Sequence, residues 1–198
     1  MRNILTALLA SVLLACAGAA HAGIITYAAN LNGISEAPPN ASPGTGFATV
    51  TIDDILNTMR VQVTFSGLLG PTTASHIHCC TGVPGAGAAG VATTVPNFDG
   101  FPLGVMSGTY DKTLDLLLPS SYNGSFVTAN GGTAASAEAA LLAGMAAGRS
   151  YLNVHSTFAP GGEIRGFLTP VSEPTGFALL ALGGVMLLLA RRHRSYRS

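Results

Sequence analysis

Met59-Arg60-Val61-Gln62-Val63-Thr64-Phe65-Ser66 alternates an apolar with a polar side chain over its whole length. Successive side chains of a strand point to opposite faces, so this stretch reads as a half-buried β-strand. Asp53-Asp54 to Asn57, just before it, carries turn chemistry and predicts a hairpin with Gly46–Asp53. Further strands are expected at Ile24–Leu31, Ala74–Cys79, Val105–Asp111, Tyr151–Ser156 and Glu163–Leu168, with Gly, Pro, Asn and Asp between them. Many short strands with close turn signals predict a mainly β fold, an antiparallel β-sandwich or barrel. One segment departs from the pattern. Ala134–Gly148 is rich in Ala and Leu, with Thr133 or Ser136 to cap its start and Gly148 its end, and predicts one short helix that turns Leu141, Leu142 and Met145 to the sheet. Thr81–Gly104, dense in Gly and Pro, reads as a long surface loop with one short strand at Val91–Val95.

The chain has 198 residues, of which 48% are hydrophobic and 9% charged. That apolar content excludes intrinsic disorder. The net charge is zero, but Gly23–Pro170 holds four basic against eight acidic residues, a net −4. Such a domain has no basic field with which to grip nucleic acid. There is no GxGxxG after a strand and no phosphate-binding GxxxxGK[ST].

The remaining basic residues stand at the two ends. Met1-Arg2-Asn3, an apolar run from Ile4 to Ala20 and the small residues of Ala20-His21-Ala22 predict a secretory signal peptide over residues 1–22; an uncleaved anchor is the alternative. At the other end Ser172-Glu173-Pro174 precedes an apolar run, Thr175 to Ala190, and then Arg191-Arg192-His193-Arg194. That run would make a transmembrane helix of about 24 Å, short for a bilayer core of about 30 Å, and the arginines of the basic end 191–198 would hold it from the cytoplasmic side. This order resembles the PEP-CTERM sorting tail. The resemblance implies a tail over residues 171–198 that an exosortase-type enzyme cuts near Glu173 and Pro174, after a transient stay in the inner membrane. Ser172 stands where the usual pattern has Pro. A plain membrane anchor is the alternative.

Without its ends the chain keeps three histidines, His76, His78 and His155. His76 and His78 are two apart on a predicted strand and share a face, while Ile77 faces the other way. His155 shares its face with Tyr151 and Asn153, opposite Leu152 and Val154. If these strands are neighbours, three imidazoles can meet on one ion, a donor set that suits zinc or copper. Ligation requires neutral imidazole, so binding is expected to weaken below about pH 6.5. Glu163 is a candidate fourth ligand or outer acceptor. The plain alternative is three polar side chains on a wet face. Cys79 and Cys80 follow His78 directly; they can form a vicinal disulfide, supply a thiolate ligand, or stay free or bond between chains. Glu163 and Arg165 share a face and would form a surface ion pair worth about 0–1 kcal/mol. Asn123-Gly124-Ser125 fits a glycosylation acceptor, read here as chance.

Ser75-His76-Ile77-His78, then Tyr151-Leu152-Asn153-Val154-His155-Ser156, then Pro160-Gly161-Gly162-Glu163-Ile164-Arg165-Gly166 resemble the CHRD (chordin-type) domain. The likeness covers roughly Ile25 to Leu168, so that residues 23–170 form the domain. It implies an extracellular β-sandwich module and does not imply an enzyme. The H-x-H strand is also similar to one in the copper–zinc superoxide dismutase sandwich, but three histidines are too few for that two-metal site. The expected protein is an exported, non-catalytic module of the cell surface or extracellular matrix. Exopolysaccharide or surface proteins are its expected partners, and copper or zinc its possible cofactor. A metal-dependent extracellular enzyme of redox or hydrolytic type is the alternative; no general base, nucleophile or phosphate loop accompanies the histidines.

Overall fold

The structure is a computed structural model and describes residues 23–171. The signal peptide expected over residues 1–22, and Glu173, Pro174, the apolar run 175–190, Arg191 and Arg192, lie outside the described residues. Eight strands run in chain order: β1 (Ile24–Asn32), β2 (Thr45–Asp53), β3 (Thr58–Ser66), β4 (Thr72–His78), β5 (Gly108–Asp115), β6 (Tyr151–Ser156), β7 (Ile164–Phe167) and β8 (Thr169–Pro170). Two helices, α1 (Gly124–Ala129) and α2 (Ala134–Ala146), lie between β5 and β6.

The hairpin expected at Asp53–Asn57 is present. Asp53 Oδ1 accepts from the amides of Ile55 and Leu56 at 3.1 and 2.9 Å, and Asn57 takes the left-handed conformation (φ 52°) that closes the turn. β2 and β3 then pair antiparallel from Thr45↔Ser66 to Asp53↔Thr58. The period-2 reading of β3 holds: Met59, Val61, Val63 and Phe65 are buried, Arg60, Thr64 and Ser66 are exposed, and Gln62 is half-buried. β1 and β5 flank this hairpin, also antiparallel.

The strands form one continuous antiparallel sheet in the order β4-β6-β7-β1-β2-β3-β5, with β8 against β1, rather than two separate sheets. β7 meets β1 only at Asn32↔Arg165, while Tyr27 and Ala28 pair with β8. The sheet curls at this join into a sandwich-like fold. β7 approaches β1 closely at this join because Gly166 presents no side chain: a Cβ there would overlap the backbone carbonyl of Asn30. The core fills the fold with Leu31, Ile52, Met59, Ile77, Leu141, Met145, Leu152, Ile164 and Leu168, all nearly solvent-free.

α2 follows the expected caps. Thr133 Oγ1 accepts from Ser136 N at 3.1 Å, and Ser136 Oγ accepts from Thr133 N at 3.2 Å; Gly148, at φ 65°, ends the helix region. Leu141 and Met145 are buried, whereas Leu142 is half-buried. Four local expectations need correction. The strand expected at Val105–Asp111 starts at Gly108 and runs to Asp115, because the backbone at Val105 and Met106 bonds instead to Thr72 and Leu68. Val91–Val95 forms only isolated bridges, His78↔Val91 and Thr93↔Tyr122. The last expected strand, Glu163–Leu168, is present as β7, and a further short strand, β8, which the sequence reading did not include, follows it and pairs with β1. Helix α1, too short for a periodic signal, was not expected; Asn123 of the Asn-Gly-Ser stretch caps it by accepting from Ser125 N at 3.1 Å.

Candidate metal centre

β4 and β6 are hydrogen-bonded neighbours, with His76 opposite Asn153 and His78 opposite Tyr151. On β7, Arg165 stands opposite Asn153, and Phe167 opposite Tyr151. Two rows, His76–Asn153–Arg165 and His78–Tyr151–Phe167, therefore cross this leaf on the face away from Ile77, Leu152 and Val154. The period-2 logic places both faces correctly, but the face is not wet. His76, His78 and His155 are only 6, 7 and 8% exposed, since the loop after Cys80 and the turn at Pro160 cover them.

Each imidazole is fixed by a backbone carbonyl. His76 Nε2 lies 2.7 Å from Pro96 O, His78 Nδ1 2.9 Å from Ala89 O, and His155 Nδ1 3.0 Å from Pro160 O. A carbonyl only accepts, so each of these nitrogens carries the ring proton and donates it. In the neutral ring the other nitrogen then bears a lone pair: Nδ1 of His76, and Nε2 of His78 and His155. The ligand atoms offered by the three rings lie within 4.8 Å of one another. His76 Nδ1 and His155 Nε2 are 3.3 Å apart, and His78 Nε2 is buried with no hydrogen-bond partner among the described residues. Facing lone pairs repel unless a cation lies between them. Two nitrogens bound at about 2.0–2.1 Å with a tetrahedral angle stand about 3.3 Å apart, so the His76–His155 spacing suits such an ion. The outer acceptors that orient the rings are three carbonyls.

Burial also sets the protonation state. Desolvation pushes His76 and His78 down to about 4, against the opposing pull of the Pro96 and Ala89 carbonyls, and lowers His155 as well. His76 and His78 are therefore neutral, the ligating form, well below pH 6.5, and His155 is biased the same way. Proton competition, expected from free imidazole near pH 6.5, moves down toward pH 4.

Three of the candidate ligands, Glu163, Cys79 and Cys80, are engaged elsewhere. Glu163 is fully buried, but its carboxylate accepts from Ser42 Oγ (2.6 Å), Leu69 N (2.6 Å), Gly70 N (3.4 Å) and Ser156 Oγ. Burial would raise its pKa, yet these donors outweigh it and hold the carboxyl below its ordinary value. Glu163 ties loops to β6 and is neither ligand nor outer acceptor of the histidines. Nor does it pair with Arg165, whose guanidinium lies 3.7 Å from Glu36 and over the Tyr151 ring at 4.6 Å, all of it buried. The surface ion pair expected between Glu163 and Arg165 is thus replaced by two separate buried contacts. Cys79 and Cys80 form a vicinal disulfide, which leaves no thiolate to bind metal. Both sulfurs rest against Gly144 of α2, where any side chain would strike them.

The sequence reading put Asn153 on the face of His155 without giving it a role there, and it missed Glu36 and Arg165 as part of this face. Asn153 was legible by its spacing from His155; Glu36, in an irregular loop, gave no signal.

A family model described as the CHRD domain matches residues 27–168. No curated protein and no solved structure matches the chain.

Proposed function

From the premise that this chain belongs to the CHRD domain family, we propose that it is an exported, non-catalytic binding module of the cell surface or extracellular matrix, whose three-histidine centre holds a zinc or copper ion. The observation that carries this reading is the convergence of three imidazoles, each with one nitrogen committed to a carbonyl and the other turned to a common point. Three neutral nitrogens suit either metal. The ion would tie β4 to β6 and pin the long loop through Pro96 and Ala89. Export by the segment 1–22, sorting by an exosortase-type enzyme at Glu173-Pro174, and exopolysaccharide or surface proteins as partners belong to the same proposal.

The test is elemental analysis of the full-length protein purified in detergent, followed by melting with and without added Zn²⁺ or Cu²⁺ at pH 7.5. One equivalent of metal and a raised Tm are expected, since a ligand at a hundredfold its Kd adds about 2.7 kcal/mol. His78→Ala or His155→Ala should each abolish the shift. Equal shifts in wild type and both variants would refute the site.

A further inference from the structure

Two turns at one end of the sheet carry adjacent aliphatic pairs that the core does not use. Ile55 and Leu56 follow β2, Leu117 and Leu118 follow β5, and all four are half or more exposed. Turns ordinarily draw on Gly, Pro, Asn, Asp and Ser. Here an aspartate at the base of each turn supplies the closure. Asp53 Oδ1 accepts from Ile55 N and Leu56 N, and Asp115 Oδ1 accepts from Leu117 N at 2.9 Å. The carboxylates bind backbone while the aliphatic side chains beside them stand in solvent.

The strand register puts both turns at the same end. Ile24, exposed at the start of β1, stands opposite Asp53, Asp53 opposite Thr58, and Thr58 opposite Asp115. Val171, also exposed, leaves the sheet here, its amide bonded to Thr26 O. Only Ser172, Glu173 and Pro174 separate it from the apolar run that starts at Thr175. Those four Cα steps reach at most about 14 Å. Where the run crosses a bilayer, this end of the domain therefore lies at the bilayer surface. Exposed aliphatic side chains are common on soluble domains. The other end of β3, about 26 Å away along nine residues, exposes Leu69 nearby. What distinguishes the two ends is where the chain leaves. Charge narrows the partner further: the two turns hold Asp53, Asp54 and Asp115 and no Lys or Arg, so anionic headgroups would not attract them.

We propose that the end of the domain formed by Ile24, Ile55, Leu56, Leu117 and Leu118 rests in the surface of the bilayer that anchors residues 175–190, with its aliphatic tips among the lipid chains. This rests on the reading of that run as a membrane span. Docked in this way, the domain keeps Glu173-Pro174 at the membrane surface for as long as the tail is uncut.

The chain has no tryptophan, so a single introduced one reports only on its own surroundings. Full-length Leu56→Trp, Leu118→Trp and Leu69→Trp proteins are reconstituted in phosphatidylcholine vesicles, with and without lipid brominated high on its acyl chains. All three positions are exposed, so the substitutions leave the core intact, and either of the first two decides the matter alone. The Leu56→Trp and Leu118→Trp proteins should emit further to the blue than the Leu69→Trp protein and lose fluorescence to the brominated lipid. The Leu69→Trp protein should keep its intensity. Equal quenching in all three, or in none, overturns the docking while leaving the anchor standing. A blue shift at position 56 or 118 without quenching means that the tail or a second copy of the chain covers this end, and also overturns it. Proteins that fail to float with the vesicles overturn both the anchor and the docking.

Discussion

His76 and His78 are held neutral by burial, and this makes the metal-free protein acid-sensitive in a defined window. An unfolded chain protonates both rings below about pH 6.5, whereas the folded chain does so only near pH 4. Between these values unfolding takes up protons, so stability falls as pH falls. His155 acts in the same direction. Glu36 acts in the opposite one: burial, outweighing the nearby Arg165, raises its carboxyl to about 7, so its contribution is complete below about pH 4.5 and is lost as pH rises toward 7. Two histidines against one glutamate leave a net loss toward acid. The metal-free protein should therefore melt at a lower temperature at pH 5 than at pH 7, and the same Tm at both would contradict the burial of the rings. Glu163 offers an independent check. Its carboxylate meets two hydroxyls and two amides, all donors. Glu163→Gln turns an amide NH₂ toward some of them and should cost about 2–4 kcal/mol in chemical denaturation, since hydrogen bonds to a buried charge are worth about 1.5–3 kcal/mol each. A loss under 0.5 kcal/mol would show that the cluster is not a charged one.

Helix α2 packs on the disulfide beside the histidine strand through Ala140 and Gly144. Gly144 lies in its last turns against both sulfurs of the disulfide that ends the β4 histidine strand. In an exposed helix, replacing Gly by Ala gains about 0.8–1 kcal/mol. Here the added methyl would overlap a rigid, covalently closed pair, and overpacking of this kind costs about 1–3 kcal/mol. The collision outweighs propensity, so Gly144→Ala should lower the Tm of the oxidised protein. After reduction with a thiol the two sulfurs can separate, and the penalty should shrink; an unchanged or raised Tm in the oxidised variant would remove the disulfide from this contact.

The described residues begin and end on neighbouring strands. β1 begins at Ile24, β8 ends at Pro170, and the two are paired, with Val171 N donating to Thr26 O at 2.8 Å. The segments 1–22 and 172–198 therefore leave the domain from neighbouring strands. Among the described residues no helix is long and apolar enough to cross a membrane. The proposed sorting is checked by intact mass: exported material should begin near Gly23 and have lost the segment beyond about Pro174. A soluble protein that still ends at Ser198 would refute both processing and anchoring.

At this scale the division between what could be read and what could not has a physical cause. The alternation of Met59–Ser66, the turn at Asp53–Asn57 and the caps of Ala134–Gly148 are local, set by the two-residue repeat of a strand and by hydrogen bonds within a few residues. They were legible without coordinates, as was the shared face of His76 and His78 and the family. Whether His155 joins them was not, because it depends on β4 pairing with β6 across more than seventy residues of intervening chain. The same holds for the loop that buries the rings, for Glu163 turning to Ser42 and Ser156, for Glu36 reaching Arg165, and for the curl that makes a single sheet serve as both layers. Sequence alone determined which residues could ligate and on which face of a strand each stands. Only the tertiary structure decided which faces meet and how dry they are, because strand pairing and burial are properties of distant segments packed together, and no local pattern encodes them.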